Sequence, residues 1–107
     1  MVDFTAKDIV IAADHPCFAG HFPGHPIFPA VAQIDLVLDL LQKHCNQPLT
    51  AVEISKAKFP APIVPGTTIH VAIKRQDQMV TWQILNSDRI YSTGTLKIAV
   101  NSSTQLQ

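Results

Sequence analysis

The sequence predicts an α+β domain: one long buried helix followed by an antiparallel β-meander. Three observations carry this. Residues 30–45 place apolar side chains nearly all the way round a helix, as in helices covered on most sides. From residue 68 onward, apolar and polar residues alternate in runs split by turn-formers, the period of half-buried strands. Ahead of the helix, Pro23, Pro26 and Pro29 recur at every third position, which excludes both helix and central strand there.

Residues 4–12 read as a first strand, with Val10, Ile11 and Ala12 apolar. Residues 14–28 form a stiff loop. Gly20 and Gly24 within it permit backbone angles, or close approach to a ligand, that a Cβ would forbid. Pro29 suits the start of a helix, where a missing N–H costs nothing. The helix carries Val31, Ile34, Leu36, Val37, Leu38, Leu40, Leu41 and Cys45, with a polar stripe of Asp35, Asp39, Gln42 and Asn46. Asn46, with Pro48 soon after, marks its stop.

Strands follow at 50–59, 68–75, 79–85 and 90–100. The Pro-rich residues 60–66 break the first two, as expected of a bulge or edge. Turns fall at 76–78 and 86–88, and Gly94 inside the last strand is expected to mark a bulge. Residues 1–100 make one domain and 101–107 a polar tail.

Only 15% of the 107 residues are charged while 47% are apolar, against about 25% charged in a typical soluble domain. A second copy of the chain is expected to cover the apolar excess, giving a homodimer. Net charge is zero, and no basic run or basic–aromatic interleaving supports nucleic-acid binding. The N-terminus lacks the pattern of a signal peptide, and no apolar stretch reaches membrane-spanning length. Cys17 and Cys45 make no disulfide framework. These features give the expectation of a cytoplasmic protein with free thiols and no membrane partner.

His21 on a braced loop, and Asp35 about one and a half turns into the helix, make a base and an acid held by stiff elements, as proton transfer requires. Taken alone, His21 is better read as a loop histidine bonded to backbone, and Asp35 has the alternative of merely beginning the solvated stripe with Asp39 and Gln42. His15, Cys17, His21 and His25 lie close in sequence, but their spacing matches no standard zinc pattern. A thiol site of Cys17, His21 and Asp35 has no further support. No metal and no cofactor is expected.

The segment His21-Phe22-Pro23-Gly24-His25-Pro26-Ile27-Phe28-Pro29-Ala30-Val31, with Asp35 fourteen residues after His21, resembles the signature of the FabA/FabZ-type hotdog-fold 3-hydroxyacyl-[acyl-carrier-protein] dehydratases. Lys56-Ala57-Lys58-Phe59, followed by Pro62-Ile63-Val64-Pro65-Gly66, is similar to a second segment of that family. The resemblance implies an antiparallel sheet wrapped around the central helix, two such units joined edge to edge as a double-hotdog dimer, and dehydration of (3R)-3-hydroxyacyl thioesters carried by acyl carrier protein. It implies His21 as base, Asp35 of the partner as acid, and Gly24, Phe28, Pro29, Ala30 and Val31 around the substrate. Lys43, Lys56, Lys58, Arg75 and Arg89 are the basic residues available to an acidic carrier. The short chain resembles compact dehydratases of accessory pathways such as aryl-polyene clusters.

Two positions depart from the family pattern. Ala30 stands where Gly is usual, and is strained if φ is positive there but suited if the position is helical. Thr67 stands where Asp commonly follows Pro-Gly. The alternatives to a dehydratase are a hotdog acyl thioesterase and a non-catalytic subunit that binds acyl thioesters.

Overall fold

The computed structural model describes residues 2–14, 27–87 and 89–100. Strand β1 (Val2–Val10) precedes helix α1 (Ala30–Cys45), and β2 (Leu49–Lys58), β3 (Thr68–Gln76), β4 (Met79–Asn86) and β5 (Arg89–Val100) follow. The strands form one five-stranded sheet in the order β1-β3-β4-β5-β2, every neighbouring pair antiparallel.

Alternation decides which face of the sheet is covered. Ile69, Val71 and Ile73 of β3, Val80, Trp82 and Ile84 of β4, and Leu96 and Ile98 of β5 are buried. They form one core cluster with Val37 and Leu41 of the helix. Asp77 and Ser87 adopt left-handed backbone at the two hairpin turns, and Asp in particular tolerates that conformation. Asn46 ends the helix in the same conformation, and the Gln47 N–H bonds back to the Gln42 carbonyl at 3.2 Å, a C-terminal stop of the Schellman type.

The helix is less covered than its composition predicts. Gln33, Val37 and Leu41 are its buried residues. Ile34, Leu36, Leu38 and Leu40 are half-buried, and Val31 is 67% exposed. A single sheet covers one face of a helix, and the remaining apolar sides face outward in the isolated chain.

Gly94 does mark a bulge, though not in its pairing with β4. The pairing of β5 with β4 runs through it, opposite Trp82. The irregularity lies on the other neighbour: the β2 register shifts between Ser55 and Lys58, opposite Gly94, with Lys56 in left-handed backbone. Glycine is needed for packing, because a Cβ there would overlap the Trp82 ring and lie 2.6 Å from its Cζ3.

The segment between β2 and β3 braces the approach to the helix. The Phe28 N–H donates to the Ile63 carbonyl at 2.7 Å, and Ile11 exchanges backbone bonds with Gly66 and Thr67. Ile63 is fully buried.

Candidate active site

The site is built on the first turn of α1. Pro29 is its N-cap, with φ −72° and ψ 161°; among the described residues no side chain caps this end, and the first turn has no acid. The Gln33 N–H makes the first intrahelical bond, to the Pro29 carbonyl at 3.0 Å. The N–H groups of Ala30, Val31 and Ala32 therefore have no intrahelical acceptor. Most helices fill this position with Ser, Thr, Asp or Asn. A proline cannot, so the donors and the positive end of the helix dipole stay available to an anion or a carbonyl oxygen.

A groove of about 510 Å³ opens beside this turn. Ile9, Val10 and Ile11 form one wall, and Phe28, Pro29, Val31, Ala32, Asp35, Leu36 and Asp39 the other. The structure thus brings Asp35, Phe28, Pro29 and Val31 together. Asp35 is exposed in the isolated chain. Asp39 pairs instead with Lys43 at 3.1 Å, one turn further on. His21 and Gly24 lie outside the described residues, as do His15, Cys17, His25 and the 101–107 tail.

Ala30 opens the helix, and the described non-glycine residues with positive φ are Asp8, Asn46, Lys56, Asp77 and Ser87. A methyl group at position 30 is therefore unstrained. It lines a second cavity of about 330 Å³, between Phe28, Pro29 and Gln33 on one side and Phe59, Ala61 and Pro62 on the other.

Gln33 was not among the residues expected at the site. It is 3% exposed. Its Nε2 donates to the Phe28 carbonyl at 3.1 Å, and its Oε1 is buried with no hydrogen-bond partner among the described residues. The signal was present in the spacing: Gln33 shares a helix face with Val37 and Leu41, and a polar residue in line with buried apolar ones must bond locally.

The remaining histidines and the described thiol have structural partners. The Asp8 N–H donates to His70 Nδ1 at 3.0 Å. His44 stacks on Phe4 with centroids 3.9 Å apart. Arg75 reaches Cys45 Sγ at 3.5 Å and Gln47 Oε1 at 3.2 Å, which holds it at the helix C-terminus. Among the described residues no group of His, Cys, Asp and Glu is arranged to hold a metal, and no helix is long and apolar enough to cross a membrane.

Comparison with known proteins places this geometry. The family model for ApeI-like proteins, described as ApeI dehydratase, matches residues 4–95. The 3-hydroxyacyl-[acyl-carrier-protein] dehydratase FabZ of Solibacter usitatus is 32% identical over 72 residues, covering 60% of this chain and 44% of that protein. The chain spans less than half the length of the FabZ relatives it matches. Among solved structures, the dehydratase heterocomplex ApeI:P from Xenorhabdus doucetiae superposes with a TM-score of 0.81 at 27% identity, over 91% of this chain and 87% of that one. The fluoroacetyl-CoA thioesterase FlK superposes with a TM-score of 0.69 at 17% identity, over 97% of this chain and 88% of that one, a likeness of fold alone. The fold is the hotdog: one helix against a five-stranded antiparallel sheet.

Proposed function

The chain belongs to the ApeI-like dehydratase family, and from that premise we propose that it dehydrates (3R)-3-hydroxyacyl thioesters, carried by an acyl carrier protein, to trans-2-enoyl thioesters. The observation that carries this reading is the pairing of Asp35 with an uncapped helix N-terminus along one groove. Elimination of water across C2 and C3 needs a base, an acid, and donors where enolate charge develops on the thioester oxygen.

His21, as a neutral imidazole, takes the proton from C2; an unperturbed histidine is largely neutral at pH 7. The electron pair of the C2–H bond becomes the new double bond as the C3–O bond breaks. Asp35 delivers a proton to the departing hydroxyl, directly or through a water, and it leaves as water. The free N–H groups of Ala30 and Val31 are suited to polarise the thioester carbonyl during the step. No cofactor and no metal is needed.

In this proposal the protein is a cytoplasmic homodimer, and His21 of one subunit meets Asp35 of the other. That arrangement would cover Asp35 at the boundary between the subunits. Fatty-acid or polyene-type assembly is the setting in which such substrates arise.

The test uses the reverse reaction. Purified protein is given carrier-bound trans-2-enoyl substrate, and water addition is read by mass spectrometry beside His21→Ala and Asp35→Asn. Wild type should add water, and each variant should fall about a hundredfold. Release of free acid would make the protein a thioesterase. Binding without turnover, over several chain lengths, would make it a non-catalytic subunit.

A further inference from the structure

Strand β1 carries a bulge that decides what its second half presents to the groove. Its pairing with β3 runs in step from Val2 opposite Arg75 to Ala6 opposite Val71, and resumes at Ile9 opposite Ile69. Lys7 and Asp8 therefore stand together opposite His70, the arrangement of a β-bulge. Before it, Val2, Phe4 and Ala6 are the covered side chains of the strand; after it, Ile9 and Ile11 are. A strand without the extra residue would turn Asp8 and Val10 inward instead, because a one-residue slip exchanges the two faces. Ile9, Val10 and Ile11 form one wall of the groove that holds Asp35, so the bulge sets the shape of that wall.

A side chain closes the bulge. Asp8 lies in left-handed backbone, with φ 58°, a conformation unfavourable for most residues with a Cβ and tolerated best by Asp and Asn. Its N–H donates to His70 Nδ1 at 3.0 Å, where a regular ladder would use a carbonyl. An imidazole nitrogen accepts only while it carries no proton, so the neutral ring holds its hydrogen on Nε2. The Asp8 carboxylate lies 4.0 Å from the same nitrogen, but its side chain is 82% exposed, and exposed pairs contribute little. His70 itself points away from the core face of Ile69 and Val71, toward a shallow cleft with Thr5, Lys7, Gln83 and Ser87.

We propose that His70 is a positioning residue for the acyl chain: by accepting from the Asp8 N–H it fixes the β1 bulge, and through the bulge the wall of Ile9, Val10 and Ile11 against which the chain beyond C3 lies. The inference rests on the dehydratase reading, which puts C3 beside Asp35 and the rest of the chain along the apolar side of the same groove. His70 lines no part of that groove and acts through β1 alone.

The experiment sets ring against acceptor. His70→Phe keeps a ring and removes the acceptor. His70→Asn loses the ring and keeps an acceptor oxygen at the place of Nδ1. Each protein is given trans-2-decenoyl and crotonyl groups on the same acyl carrier protein, and hydration is followed. His70→Phe should lower the ratio of kcat/KM for the long over the short chain about tenfold, mainly through KM, as for lost contacts with an apolar tail. Crotonyl hydration should stay near wild type, since that chain ends one carbon past C3. His70→Asn should keep the wild-type ratio. Asp8→Asn, which retains the N–H and tolerates left-handed backbone, should keep it too. Exchange of the Asp8 amide hydrogen, read by NMR, should quicken in His70→Phe and not in His70→Asn. An unchanged ratio in His70→Phe, or an equal fall in His70→Asn, would overturn the role of His70 while leaving the dehydratase reading intact. A fall in Asp8→Asn to match His70→Phe would overturn it as well, by making the carboxylate the group that matters. A wild-type protein inert on both substrates would overturn the dehydratase reading and the acyl-chain role with it.

Discussion

The Gln33 side-chain amide donates to the Phe28 carbonyl at 3.1 Å, tying the first turn of α1 to the segment that leads into it. Phe28 is in turn bonded through its own N–H to Ile63, so the helix start is held from both sides. Gln33→Leu removes this hydrogen bond to the Phe28 carbonyl, but it also removes a buried oxygen with no partner among the described residues; the net cost is expected to be about 1 kcal/mol. Gln33→Glu should cost several kcal/mol at pH 7, because a buried carboxylate faces a carbonyl oxygen. Burial raises the pKa of that carboxyl above its unfolded value. The penalty should therefore shrink as pH falls, when the protonated acid can donate to Phe28. Urea denaturation at pH 7 and pH 5 checks both the order and the sign.

Pro29 makes a second prediction about the same turn. Pro29→Asp supplies the side-chain acceptor the helix lacks. A new N-cap is worth about 1 kcal/mol, offset in part by the freedom the unfolded chain gains on losing proline. Thermal stability should stay level or rise by a few degrees, while hydration of an enoyl thioester falls at least about tenfold, because the carboxylate occupies the N–H groups that polarise the carbonyl. Calorimetry beside the activity assay separates the two effects. A fall in both would point to a disrupted helix start.

Much of this architecture was legible in the chain. The helix limits, Ala30–Cys45, follow from Pro29 at one end and Asn46 at the other, both residues with strong backbone preferences. The meander followed from alternation and its turns. The reach of the helix into the core was harder to read, because apolar content alone does not say which sides the chain's own sheet covers. Asp35 was singled out through its place in a motif, whereas Gln33 acts through contacts with Phe28 that no motif encodes.

Gly94 shows the same limit and gives a third prediction. Its role depends on Trp82, its cross-strand partner, and neither residue announces the other in sequence. The Trp82 ring is pinned by its Nε1–H donating to Ser92 Oγ at 3.1 Å, both residues buried. It cannot yield to a methyl group without breaking that bond. Gly94→Ala should destabilise the protein by about 1–3 kcal/mol or more, with a changed tryptophan emission in the folded state. Gly94→Ala combined with Trp82→Phe should recover part of the loss, since the smaller ring leaves room for the methyl.

The last prediction concerns the outer edge of the sheet. Among the described residues β2 is an outermost strand, paired with β5 alone, and its Val52 and Ile54 are 58% and 48% exposed. An unpaired edge bearing apolar side chains is a template for another strand. In the proposed dimer this edge meets its copy, and each site draws His21 from one subunit and Asp35 from the other. Ile54→Lys should shift the mass in sedimentation from twice 11.7 kDa toward 11.7 kDa, with hydration lost in parallel. The sharing itself is tested by refolding His21→Ala and Asp35→Asn chains together. Half of the resulting dimers are mixed, and each mixed dimer holds one site with both residues intact. Activity should therefore return to about a quarter of wild type from two nearly inactive parents, as two-fold symmetry requires. If both residues served the site from one chain, mixing would restore nothing.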